Sequence, residues 1–142
     1  MNPRTVADLM TTVVFALRPD DSLVAVRDTM YEHHVRHVPV VDAEGDLIGL
    51  VSHRDMLGYA LIEQEPGSSE NQEADLEALT VGDVMIFNVE SVEADTDLRE
   101  AAQVMLEYKY GCLPVVEGNH LIGILTEADF VRAVTRGLTR RP

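Results

Sequence analysis

The sequence has one cysteine, no tryptophan and 5% aromatic residues, and its 11 bases face 25 acids. Each shortage excludes something. A single Cys112 cannot close an intramolecular disulfide, and a lone thiol fits a reducing, intracellular setting. The formal net charge of −14 repels polyanions, which excludes nucleic acid or an anionic membrane as the main partner. No run approaches the ~18 consecutive apolar residues that a membrane span needs, and the polar start Met1-Asn2-Pro3-Arg4 does not read as a secretory signal. What is present is ample for a globular core. Hydrophobic residues make up 46% of 142 positions, a length that suits one compact unit or two small lobes and buries roughly two thirds of the unfolded chain's surface. A soluble, cytoplasmic protein is expected.

The sequence is written twice, at a spacing of about 75 residues. Val6-Ala7-Asp8-Leu9-Met10 returns as Val81-Gly82-Asp83-Val84-Met85, and Pro39-Val40-Val41 as Pro114-Val115-Val116. After a one-residue deletion, Leu47-Ile48-Gly49 returns as Leu121-Ile122-Gly123, and Asp55 as Asp129. The conserved order means one supersecondary unit used twice, with boundaries at 1–62 and 79–138. Between them, 63–78 is rich in acids and carries no base, a composition that predicts a flexible, solvated linker.

Each copy reads strand, helix, strand, strand, helix. Val13–Leu17 is a short apolar segment closed by Arg18-Pro19, the pattern of a strand. Asp20, Asp21 and Ser22 are N-cap candidates for a helix carrying Leu23, Val26 and Met30 and running to about His34. Asp97, with Glu100 three residues on, caps the matching helix of the second copy. Two hairpins follow, His37–Asp42 with Leu47–Val51 around Gly45, and Leu113–Val116 with Leu121–Leu125 around Gly118-Asn119. Closing helices are expected at about 53–62 and 127–136. The fold class is α+β, two such units related by a pseudo-two-fold axis.

The chemistry lies where each second hairpin strand enters its closing helix. Gly49-Leu50-Val51-Ser52-His53-Arg54-Asp55 matches Gly123-Ile124-Leu125-Thr126-Glu127-Ala128-Asp129. A hydroxyl residue followed three positions later by an acid is the sequence of a capping box, and that alone accounts for either copy. Duplication adds a second meaning. The recurring glycine allows a ligand to approach backbone, helix N-terminal amides suit a phosphate, and an ionised Asp accepts two hydrogen bonds from a ribose diol. Together these describe a ribonucleotide pocket.

These phrases, with Met10-Thr11, Met85, Val38-Pro39-Val40-Val41-Asp42 and Leu113-Pro114-Val115-Val116-Glu117, resemble a pair of CBS (cystathionine β-synthase) domains, the arrangement called a Bateman module. The resemblance implies a stand-alone regulatory module, not an enzyme, binding AMP, ADP or ATP in clefts that mix parts of both repeats. S-adenosylmethionine, NAD(H) and cyclic di-AMP are alternatives. It implies no covalent cofactor, a homodimer, and an unidentified regulated protein that reads the ligand state. One cleft would combine Thr126 and Asp129 with Thr11, Val14, Phe15, Val35 and Arg36. The other would combine Ser52 and Asp55 with Val89, Glu90, Tyr110 and Gly111. The strand positions Pro39, Val51, Pro114 and Leu125 belong to the same implied sites.

The two clefts are not equivalent. The resemblance implies a phosphate-contacting base at the position of His37, whose counterpart is Cys112, and a base between the hydroxyl residue and the Asp, where His53-Arg54 in one phrase is matched by Glu127-Ala128 in the other. A charge pair at ~4 Å is worth ~4 kcal/mol at an effective dielectric of 20, so the Ser52/Asp55 cleft is expected to prefer phosphorylated adenosine. Two rivals come from other classes. One is a structural module whose clefts are empty. The other is a metal or thiol enzyme built on His33, His37 and Cys112, a reading disfavoured because a turn at Val35–His37 breaks the i,i+4 spacing.

Overall fold

The computed structural model describes residues 3–60 and 69–137. The chain forms two compact units, one continuous (Phe15–Val89) and one split (Met1–Val14 with Glu90–Pro142). The opening segment of each repeat is thus packed with the other repeat's strands.

In the continuous unit, helix α2 (Leu23–His33) follows its N-cap Ser22 and lays Leu23, Val26 and Met30 into the core, a spacing of three and four residues that keeps them on one face. His34 ends it in the left-handed conformation (φ 56°), and the His34 and Val35 N–H groups both donate to the Met30 carbonyl. Strands β1 (His37–Val41) and β2 (Leu47–Ser52) form an antiparallel hairpin that aligns Val38 with Val51 and Val40 with Gly49. Helix α3 (His53–Ala60) follows directly. Helices α4 (Ser69–Ala78) and α5 (Val81–Val84) complete the unit. Leu76, Val81 and Met85 join Leu23, Val26, Val38, Val40 and Val51 in one core.

The split unit repeats the plan. Its elements are α1 (Val6–Leu9), β3 (Val92–Glu93), α6 (Leu98–Tyr108), β4 (Cys112–Glu117), β5 (His120–Thr126) and α7 (Glu127–Thr135). β4 pairs antiparallel with β5 and parallel with β3. Asp97 caps α6 as expected, accepting from the Arg99 and Glu100 amides at 2.8 and 3.4 Å. Val6 from the opening segment packs with Leu98, Ala101, Met105, Leu113, Val115 and Leu125.

Matching hydrogen bonds fasten the two opening segments. Thr11 and Ile124 exchange both backbone bonds at 2.9 Å, and Ile86 and Leu50 do the same at 2.9 and 3.1 Å. This crossing explains the recurring glycines. A Cβ at Gly123 would lie 2.9 Å from Met10 Sδ and 3.1 Å from the Thr11 carbonyl; one at Gly49 would lie 2.5 Å from Met85 Sδ and 3.2 Å from the Ile86 carbonyl. The glycines admit the chain's own backbone, which corrects the expectation that they clear room for a ligand.

Two further expectations change, and one pair of elements appears that the reading did not include. Val13–Leu17 is not a regular strand, because its pairing is a single parallel bridge from Leu17 to Val40. Leu17 N–H donates to the Pro39 carbonyl and the Leu17 carbonyl accepts from Val41 N–H, and Pro39 has no N–H with which to extend the ladder. The acidic stretch 63–78, expected as flexible, contains helix α4, in which Leu76 is buried at 5% exposure and supplies the apolar anchor that composition alone obscures. Its residues 63–68, like Leu61 and Ile62 at the expected end of α3, lie outside the described residues. Finally, Val6–Leu9 and Val81–Val84 are single helical turns. Asp8 and Asp83 accept from the Thr5 and Thr80 amides at 3.0 Å, a Thr-x-x-Asp signal visible in the sequence.

Candidate functional site

Both hydroxyl-x-x-Asp phrases fold as capping boxes at the first turn of a closing helix. In the continuous unit, Asp55 Oδ2 accepts from Ser52 N–H and Ser52 Oγ at 2.9 Å each, and Asp55 N–H donates back to Ser52 Oγ at 3.2 Å. In the split unit, Asp129 Oδ2 accepts from Thr126 N–H at 2.8 Å and Thr126 Oγ1 at 3.2 Å. The start of each helix is also tied to the approach to the unit's first hairpin strand. His53 N–H donates to the Arg36 carbonyl at 2.7 Å and Glu127 N–H to the Gly111 carbonyl at 3.3 Å.

The carboxylates then part company. Asp129 Oδ1 accepts from Thr11 Oγ1 at 2.7 Å and from Arg132 Nη2 at 2.6 Å. An ionised carboxylate offers about four acceptor sites, so its capacity is used, and its side chain is 3% exposed. Asp55 is half-buried, and among the described residues its Oδ1 has no partner. The repeat register explains this. The counterpart of Thr11 is Ile86 and that of Arg132 is Gly58, and neither has a side-chain donor. The sequence carried this difference, but only pairing the opening segment with the opposite repeat's helix exposes it.

The remaining implied residues divide between the units. Val14, Glu90, Tyr110, Gly111, Cys112, Pro114 and Leu125 join Thr11, Thr126 and Asp129 in the split unit. Phe15, Val35, Arg36, His37, Pro39, Val51, His53, Arg54 and Val89 join Ser52 and Asp55 in the continuous one. Val51, Leu125, Pro39 and Pro114 are fully buried, so none of them presents a surface to a ligand in this arrangement. Arg36, His53 and Arg54 are exposed. The Phe15 ring lies flat on His33, with centroids 3.6 Å apart and planes 8° from parallel. Tyr110 stacks near Tyr108 at 5.6 Å.

Burial pushes the Cys112 thiol up to about 12, leaving it protonated at neutral pH and a poor nucleophile. The left-handed turn at His34 separates His33 from His37. Among the described residues no group of three or more His, Cys, Asp or Glu side chains is placed to hold a metal. None of the described helices is long and apolar enough to cross a membrane.

Comparison with known proteins agrees with this architecture. The family model for the CBS domain matches residues 6–62 and 81–136. A curated relative, the chloroplastic CBS domain-containing protein CBSX1 of Arabidopsis thaliana, is 32% identical over 91% of this chain. The chain spans 23–63% of the length of several curated relatives, including 63% of CBSX1. Among solved structures, an acetoin utilization protein (AcuB) from Vibrio cholerae superposes with a TM-score of 0.81 at 34% identity, covering 98% of this chain and 95% of that one. CBSX2 from Arabidopsis thaliana, crystallised in complex with AMP, superposes with a TM-score of 0.78 at 31% identity, covering 94% and 98%.

Proposed function

This chain belongs to the CBS-domain family and carries the domain twice, and we propose that it is a non-catalytic sensor of adenosine-containing ligands. The observation that carries the reading is the unfilled Oδ1 of Asp55, a carboxylate held rigid through its other oxygen and able to accept from a ribose diol. The exposed Arg54 beside it suits a phosphate, so AMP, ADP or ATP is the ligand class. CBSX2, crystallised with AMP, supports the same class. Asp129 acts here as a fastening for the opening segment, and ligand binding at that phrase would have to displace Thr11 or Arg132.

Ligand occupancy would be passed to a regulated protein as a shift between two states of the module. The exposed apolar side chains of α6 and α7 (Leu106, Val131 and Val134) provide a surface for pairing with a second copy, in the cytoplasm. Titration calorimetry with AMP tests the site. Asp55→Asn is expected to weaken AMP at least tenfold, the equivalent of about 1.4 kcal/mol, and Asp129→Asn to leave it within about threefold. Loss in Asp129→Asn alone, or equal loss in both, would overturn the assignment. A second reading, a purely structural module, is favoured by the observation that both phrases are complete capping boxes. It predicts no AMP heat at all.

A further inference from the structure

The geometry points to a second small-molecule site in the continuous unit, a pocket for an amphiphilic anion with an apolar chain and a carboxylate head. A cavity of about 570 Å³ opens among α2, α3 and α4, within the range of pockets that enclose small ligands. Met30, Met56 and Leu76 reach it from the three helices and are 7%, 6% and 5% exposed. Thioethers on flexible side chains adapt to an alkyl chain and offer almost nothing to the hydrogen-bonding edge of a nucleobase. The lining is therefore unsuited to a nucleoside.

The rim supplies the opposite chemistry. Arg27, His34, Arg36 and His53 line the cavity, and no acid does so among the described residues. In a chain with 25 acids and 11 bases, that convergence selects an anion. Arg27 is engaged by Asp28 at 3.2 Å. Arg36 is exposed, lines the cavity and makes no ion pair among the described residues, so its guanidinium is the group available to clamp a carboxylate in two-pronged fashion. Tyr31 and Leu57, both exposed, stand at the mouth. His53 adjoins Ser52, so the test measures both sites.

Decanoate is titrated calorimetrically into the full chain, with acetate as the tailless control. One saturable decanoate site per chain is expected, with no acetate binding. Arg36→Ala should weaken decanoate about tenfold or more, the effect of losing a charge-assisted pair. Leu57→Glu should abolish decanoate binding while leaving AMP affinity unchanged, and saturating AMP should leave decanoate affinity unchanged. Should Leu57→Glu fail to fold, Tyr31→Glu, at a position 81% exposed, makes the same test. Absence of saturable decanoate binding, competition with AMP, or normal decanoate binding by the mouth variant would each overturn the proposal. Failure of AMP binding alone would leave it standing.

Discussion

Replacing each phrase's aspartate by alanine should cost very different amounts of stability. Asp55→Ala removes one helix cap, worth about 0.5–2 kcal/mol. Asp129→Ala removes a cap of the same kind and also strips Thr11 Oγ1 of the acceptor it meets at 2.7 Å. A part-buried donor left without a partner adds about 1–3 kcal/mol. The Arg132 contact adds little, because that side chain is 49% exposed and can turn to water. The expected losses are about 1 kcal/mol for Asp55→Ala and about 2–4 kcal/mol for Asp129→Ala. Urea unfolding with matched slopes measures both. Thr11→Val, which removes the hydroxyl and keeps the shape, should recover part of the difference by making the Asp129 replacement milder in its background. Equal losses for the two alanine variants would refute the idea that Asp129 fastens the opening segment while Asp55 does not.

Three other outcomes follow from the geometry. Gly123→Ala drives a methyl against Met10 and the Thr11 carbonyl and should destabilise by about 1–3 kcal/mol in thermal unfolding; an unchanged melting point would mean the segments do not cross so closely. Iodoacetamide at about pH 8 should leave native Cys112 unlabelled and modify it fully in urea, since burial raises the thiol to about 12; rapid native labelling would contradict this. Asp8 is held below the ordinary carboxylate value of 3.8 by the Arg4 and Thr5 amides, and Asp83 is lowered by the Thr80 amide and hydroxyl. Depressed carboxylates stabilise the fold above their unfolded value, and that contribution is lost as pH falls through the folded one. Stability should therefore drop more steeply in acid for the native chain than for Asp8→Asn/Asp83→Asn, as read from unfolding curves below about pH 5. Parallel curves would exclude the caps as the cause.

Much of the fold was legible because local pattern and tertiary demand agree. Leu23, Val26 and Met30 announce α2, Asp97 announces α6, and the Pro-Val-Val strands with their glycine turns announce the hairpins. What failed was long-range. The segment Val13–Leu17 has the residues of a strand but meets a proline that limits its ladder. Helix α4 hides in an acidic composition because one buried leucine, Leu76, anchors it. The site was half legible for the same reason. Ser52-x-x-Asp55 and Thr126-x-x-Asp129 are equal as local motifs, and their difference lies in Thr11 and Ile86, about 118 and 31 residues away from the carboxylates in question. No local window contains that pairing, and nothing local indicates that Gly49 and Gly123 make room for backbone instead of a ligand.

The most direct test of the sensor reading is a high-resolution map of crystals soaked in AMP. The account predicts density for one nucleotide whose ribose hydroxyls lie within hydrogen-bonding distance of Asp55 Oδ1, with the Thr11–Asp129 bond intact. Nucleotide density confined to the Thr126–Asp129 phrase, or none anywhere under saturating conditions, would contradict it.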